Sequence, residues 1–317
     1  MKKQMILSIL FLLSISAFAK PYSIFQLNGN YGLIDENRNI LFEPIYNSIN
    51  ITEQGYIICD EKNWTPKIFD SNCKEIISFQ KQDFFWQFSE HEWVFRNEKG
   101  GGYKLINLKT KDIFEKIEIK SRDNCPTFVN GVGISLTYYD ELGKYGYTIE
   151  NRNGKTIVSN IAQIDGMYSE GVIPVLFFDG KSGYLDYNGN LVIEVPLYED
   201  YRMEGLRISP SLNYSFHEGL AFIQTKEDHW YLLNKEGDKK ILPSDYKFVT
   251  RRYSNGLTVV ENKENKFGYM DKNFKINIPC KFESAYSFEG KYAAVIYQGK
   301  DAVVDAEGHI YFCAEFK

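Results

Sequence analysis

The chain is predicted to be all-β, built from about eight copies of one short sheet module, and three observations carry that prediction. First, a phrase of aromatic, glycine, apolar residues and Asp recurs, as Tyr31-Gly32-Leu33-Ile34-Asp35 and Phe267-Gly268-Tyr269-Met270-Asp271. Its Asp or Asn falls at Asp35, Asp70, Asn107, Asn151, Asp186, Asn234, Asp271 and Asp305, in steps of 34 to 37 residues with two longer steps of 44 and 48. Second, a polar-Gly-apolar phrase lies between these points, and the interval from its glycine to the next Asp or Asn is 15 residues for Gly55, Gly171, Gly219, Gly256 and Gly290. Gly131 departs, at 20. Third, apolar and aromatic residues run four to six at a time between turn residues, with no sustained 3.6-residue period for a long helix.

The elements follow in order. Met5–Ile15 is apolar, follows Lys2 and Lys3 and precedes Ala17-Phe18-Ala19, the pattern of a cleaved secretory leader over residues 1–19. The apolar run is too short to span a bilayer comfortably. The remaining chain, residues 20–317, is read as one repeat domain. Asn28-Gly29, Asp179-Gly180 and Gln298-Gly299 supply the positive φ of tight hairpins on one side of the recurring phrase, and Asn153-Gly154, Asn188-Gly189 and Glu307-Gly308 on the other. A proline followed by an aromatic (Pro44/Tyr46, Pro279/Phe282) marks a further short strand. Each unit is then a three-strand meander plus one short strand. Tyr22–Leu27 sits where the last strand of a unit belongs, and the final unit, after Asp305, lacks that strand. A head that supplies what the tail lacks predicts a closed, propeller-like ring of seven to eight small blades with both termini in one blade. An open β-solenoid of the same units is the alternative.

The phrases resemble the WG-repeat family of bacterial proteins, through Phe267–Asp271 and through Ser215-Phe216-His217-Glu218-Gly219-Leu220-Ala221. Tryptophan holds the first position of the phrase only at Trp230, where Tyr231 replaces the glycine. The resemblance spans the chain after residue 19. It implies a repeat scaffold and supplies no catalytic residue.

Composition narrows the function. The formal charge is −5, and removing the two leader lysines takes it to −7, which disfavours a nucleic-acid partner because phosphate binding needs clustered positive charge. The five cysteines lack metal-site spacing and are too sparse for a disulfide framework. Asn replaces Asp in three of eight repeat positions, so this residue is read as a turn former whose side chain accepts backbone N–H bonds, not as a catalytic carboxylate. Asp35–Asn39 begins like a calcium loop, but Ile40 stands where glycine is required and Tyr46 where a bidentate glutamate is required. No phosphate-cradling glycine motif, nucleophile elbow or cofactor signature is present, and no metal site is expected from His91, His217, His229 and His309.

In repeat proteins binding residues sit where units differ. The two insertions are Thr137–Lys144 and Tyr198–Tyr214, and the candidate binding residues are Tyr138, Tyr139, Tyr198, Tyr201, Arg202, Arg207 and Tyr214. The expectation is an exported, non-enzymatic scaffold binding a protein or envelope glycan. The alternative is a hydrolase of cell-wall or host polysaccharide using Glu199, Asp200 or Glu204.

Overall fold

The computed structural model describes residues 21–61, 65–79, 84–96, 103–117, 128–164, 166–197, 214–224 and 230–317. Among the described residues seven antiparallel sheets follow one another along the chain, and one of them is divided between two blades, which makes eight blades. We number the blades and letter the strands of each from A, innermost, to D, outermost. Blade 1 holds Tyr22–Leu27, Asn30–Asp35 and Ile40–Tyr46 as strands B, C and D. Blade 2 runs from Ser48–Ile51 to Glu75–Ser78, and blade 3 from Phe84–Ser89 to Ile113–Ile117. Blades 4 and 5 share one seven-stranded sheet, because the nine-residue strand Thr156–Ile164 pairs first with Lys144–Asn151 and then with Ile173–Phe177. Blade 6 comprises Leu220–Gln224, Trp230–Asn234 and Lys239–Ile241, with an A segment joined through the His217–Leu220 bridge. Blade 7 runs from Lys247–Phe248 to Ile276–Phe282 and blade 8 from Ser284–Ala285 to Ile310–Phe312. Among the described residues the one helical piece is the 3₁₀ turn Cys313–Glu315.

The A–B turns explain the polar-Gly phrase. Glu170-Gly171, Glu218-Gly219, Asn255-Gly256 and Asn130-Gly131 each have positive φ at both central residues, the type I′ geometry that matches strand twist. Blade 8 differs. Its turn is Gly290-Lys291, with positive φ at Gly290 alone, so Lys291 and not Gly290 occupies the place of Gly256. The equal 15-residue spacing of Gly290 to Asp305 therefore arises from a shifted turn offset by a shorter hairpin: Tyr292–Tyr297 and Lys300–Asp305 are joined by a two-residue turn, where five residues join Leu257–Glu261 to Phe267–Asp271, so the hairpin loses one residue overall.

The glycine of the recurring phrase has a packing cause. A Cβ built on Gly268 would lie 2.7 Å from the Ile278 carbonyl oxygen and 2.8 Å from the Cys280 nitrogen; on Gly32 it would lie 2.7 Å from the Phe42 oxygen, and on Gly146 2.5 Å from the Ile161 oxygen. In these blades strand D bulges twice opposite strand C and crosses closely over the glycine. Pro44 and Pro279 lie in those bulged outer strands, where a missing N–H is tolerated. Blades 6 and 8 carry Tyr231 and Ala302 at the same place, and their outer strands pair in unbroken register.

The core lies between blades. Tyr184, Val195, Leu197, Tyr214, Phe216, Ala221 and Leu233 form one cluster across blades 5 and 6, and Tyr269, Phe282, Phe288, Val295 and Val304 another across blades 7 and 8. Six of the seams are also stitched by the following polar contacts. At three seams an acidic side chain accepts from the next blade: Glu170 takes the Gly219 N–H and pairs with Lys235 at 3.1 Å, Glu218 takes the Gly256 N–H and pairs with Lys272 at 3.1 Å, and Glu92 pairs with Arg152 at 2.7 Å. At three others a tyrosine at the start of strand B reaches forward, Tyr22 to the Gly55 carbonyl, Tyr56 to His91 and Tyr292 to the Glu36 carbonyl.

The last of these seams closes the ring. Tyr292 is fully buried; its hydroxyl donates to the Glu36 carbonyl at 2.9 Å and accepts from Arg38, and its N–H donates to Ser23 Oγ at 3.1 Å. Lys291 donates to the Glu36 carbonyl, Asn28 N–H to Asp301, and Phe25 packs edge-on against Phe316 at 5.5 Å. The expectation that both termini share one blade is corrected. Blades 1 and 8 are separate sheets, and the one described backbone bond between the chain ends runs from Ile40 N–H to the Lys317 carbonyl, 2.8 Å. Closure therefore comes from side-chain packing between complete hairpins and not from a common strand ladder.

Candidate binding surface

The recurrent Asp and Asn side chains face their own turns. Asp35 Oδ1 accepts from the N–H groups of Asn37 and Asn39, both at 2.8 Å, and Asp271 Oδ1 from Asn273 and Lys275. The same pair of bonds occurs at Asp70, Asn151 and Asp186. Asn107 caps Lys109 and Thr110, Asn234 caps Asp238, and Asp305 caps His309. In the Asp35 and Asp186 turns these bonds, led by the amide side chains of Asn39 and Asn190, outweigh desolvation and hold the carboxyls below their usual range. The eight side chains lie in eight separate turns and converge on no common cavity.

Asp305, Glu307 and His309 bring three donor atoms within 4.8 Å of one another. The Asp305 carboxylate is already filled by the His309 N–H at 2.8 Å, the His309 ring at 3.0 Å and the Tyr311 hydroxyl at 3.2 Å. Burial pushes its pKa up, but these three bonds together bring it below the ordinary carboxylate value. His217 lies between blades near Glu170, Glu218 and Arg252, and burial followed by the Arg252 charge lowers its pKa, which favours the neutral ring. His91 accepts or donates at Tyr56 in a seam, and His229 lies outside the described residues.

The insertion at Thr137–Lys144 builds a distinct surface. It lengthens the B–C hairpin of blade 4 to strands of eight residues, Val132–Tyr139 and Lys144–Asn151, where blade 7 has five. Strand alternation sends Leu136 and Tyr138 to one face with Tyr145, which pairs directly across from Tyr138. Leu136 is 40%, Tyr138 49%, Leu142 46% and Tyr145 53% exposed, and the Tyr138 and Tyr145 rings lie 4.9 Å apart at 60°. The other face is anchored. The Tyr139 hydroxyl donates to the Tyr147 carbonyl at 2.8 Å, accepts from Asn160 N–H at 2.9 Å, and its ring packs edge-on against Phe178. Tyr139 is thus a brace for the hairpin, while Tyr138 belongs to the exposed row.

The second insertion gives less. Tyr198, Tyr201, Arg202 and Arg207 lie outside the described residues, as do Glu199, Asp200 and Glu204. Tyr214 is 1% exposed and its carbonyl accepts the Tyr184 hydroxyl at 2.7 Å. It is a core residue at a seam, not a surface contact, because the A segment of blade 6 places it against Tyr184 and Phe216. Sequence reasoning missed Leu136, Leu142 and Tyr145; the signal was the alternation through the insertion, which aligns Leu136 with Tyr138 on one face. Among the described residues no helix is long and apolar enough to cross a membrane.

Among solved structures, apo AztD from Citrobacter koseri is similar, with 12% identity, 93% of this chain and 92% of that one covered, and a TM-score of 0.50. BamB from Moraxella catarrhalis matches with 9% identity, 91% and 89% coverage and a TM-score of 0.41. No curated protein matches the chain. The AztD likeness concerns the fold, a β-propeller, in agreement with the blades described above. The model of the WG containing repeat matches residues 31–58 and 267–300, the segments that span the two doubly bulged Gly32 and Gly268 crossings, so the chain carries WG repeats on a β-propeller frame.

Proposed function

We propose that this protein is an exported, non-catalytic scaffold that binds a protein partner through the projecting hairpin of blade 4. A repeat propeller supports a scaffold or binding role in general terms. The leader pattern of residues 1–19 supports export. The observation that carries the reading is the exposed face of Leu136, Tyr138 and Tyr145, with exposed Leu142 in the connecting turn, on a hairpin stiffened by Tyr139. Tyrosine and leucine side chains presented on a rigid strand lose little entropy on contact and form the core of a protein interface. Two rings tilted at 60° do not make the flat platform on which a sugar ring stacks, which favours protein over glycan.

The test places a photo-crosslinking residue at Tyr138 in cells producing the intact protein. The expected result is a discrete, protease-sensitive adduct that disappears when Tyr145 and Leu142 are also changed to alanine, with the melting temperature of that variant unchanged. A crosslinker at Ile241, 78% exposed on the outer strand of blade 6, is the control. A protease-resistant, glycosidase-sensitive adduct, or the same adduct from both positions, contradicts the proposal.

A further inference from the structure

Blade 1 differs from its neighbours at its inner edge. In blade 8 strand A donates to strand B through Glu283 N–H to the Ile296 carbonyl, Tyr286 N–H to Ala294 and Glu289 N–H to Tyr292, at 2.9 to 3.1 Å. In blade 7 Val249 and Ser254 make the equivalent bonds to Val259 and Leu257. The B–C hairpin of blade 1 has the same build as that of blade 8, two six-residue strands joined by a two-residue turn, with Tyr22 opposite Asp35 as Tyr292 is opposite Asp305. By that register the carbonyls of Gln26, Ile24 and Tyr22 take the places of Ile296, Ala294 and Tyr292. Among the described residues nothing donates to them, and Tyr22–Leu27 is the terminal strand of its sheet.

The missing strand has a definable pattern. Strand A of blade 8 buries Ala285 and, three residues on, Phe288 (7% and 1% exposed), and its neighbours bury an aromatic at the Phe288 place: Phe128, Tyr168, Phe216 and Tyr253. Counting the same register back from Tyr22 puts those two positions at Ile15 and Phe18, inside the stretch read as a leader cleaved after Ala19. Removal of the leader would take away the residues that this count assigns to strand A of blade 1, and an open strand edge is a template for pairing with another chain.

We propose that the inner edge of Tyr22–Leu27 in the processed protein is a strand acceptor, completed by an extended segment of a partner protein that carries an apolar residue and, three positions on, an aromatic. The added strand hydrogen-bonds to Tyr22, Ile24 and Gln26, and its aromatic seats in the space between blades that Phe288 fills in blade 8. This rests on the export reading, since it requires residues 13–19 to be gone.

The experiment uses the exported protein, whose intact mass is measured first, and the peptide Glu-Ser-Ala-Tyr-Ser-Phe-Glu, the sequence of residues 283–289. The expected mass is that of residues 20–317. Amide exchange at Tyr22, Ile24 and Gln26 is expected to be fast in the free protein and to slow about tenfold with the peptide, reporting new edge hydrogen bonds. A peptide with Asp in place of Phe should leave it unchanged. Ile24→Pro should abolish binding while the blade still folds, because in an antiparallel ladder alternate residues, here Ser23, Phe25 and Leu27, face strand C. Should that variant not fold, the exchange readout on the unaltered protein decides alone. Retention of residues 13–19 overturns the export reading. Correct processing with amides already protected, or equally unaffected by both peptides, overturns the strand-acceptor proposal alone.

Discussion

Gly268→Ala is expected to destabilise the protein by about 2–3 kcal/mol, the upper part of the range for forcing extra volume into a packed site. The added methyl would meet backbone atoms of Ile278 and Cys280 below 3 Å, so a side-chain rotation cannot relieve it. The strand must move outward, which undoes the bulged pairing of Ile276–Phe282. The reverse change in blade 8, Ala302→Gly, meets no such crossing and should cost about 1–2 kcal/mol, from backbone entropy and one buried methyl. Chemical denaturation of both variants checks the contrast. Equal losses would mean that the repeat glycine is a turn or propensity feature and not a product of strand crossing.

The second large effect is at the closing seam. Tyr292→Ala removes a fully buried ring that touches Tyr311 and holds Ser23, Glu36 and Arg38, and a loss of about 3–5 kcal/mol is expected for an aromatic truncated in a core. Tyr292→Phe keeps the packing and should cost nearer 1 kcal/mol for the hydroxyl's bonds. The location of the damage is the more specific readout. Amide exchange should accelerate in Asn30–Asp35 and in Lys300–Asp305, opposite ends of the chain, before it changes in the continuous sheet of blades 4 and 5. Faster exchange confined to residues near 292 in sequence would show that the two ends do not support each other.

Much of this frame can be read from the sequence because each part has a local chemical cause. Asp and Asn interchange at eight positions since either side chain caps the same turn, and Glu-Gly or Asn-Gly marks a type I′ turn wherever both residues must take positive φ. The reading slips where one local signal has two solutions. Gly290 satisfies a turn with positive φ at its first position only, so a one-residue shift preserved the 15-residue interval while moving the structural equivalence to Lys291. Seam chemistry was also present in the sequence, as Glu just before the repeat glycine (Glu170, Glu218) and Lys just after the repeat Asn or Asp (Lys235, Lys272). Those pairs are 65 and 54 residues apart, and only the ring geometry makes them neighbours. The site was harder. Two tyrosines adjacent in sequence, Tyr138 and Tyr139, take opposite roles because a strand turns alternate residues to opposite faces, and Tyr214 is drawn into the core by Tyr184 and Phe216.

Closure of the ring is the claim on which the seams, the acceptor edge and the placement of the hairpin all depend, and a zero-length carbodiimide crosslink tests it directly. Lys291 Nζ donates to the main-chain carbonyl of Glu36 at 3.3 Å, a residue 255 positions away, which brings the amine within side-chain reach of the carboxylate of that same residue, while Lys272 and the Glu218 carboxylate pair at 3.1 Å within the ring. Mass spectrometry of the monomer fraction should find an amide joining Lys291 to Glu36 alongside the Lys272–Glu218 amide. In an open stack of eight blades at about 10 Å each, the two ends would stand roughly 70 Å apart. Recovery of Lys272–Glu218 without Lys291–Glu36 would contradict the closed ring.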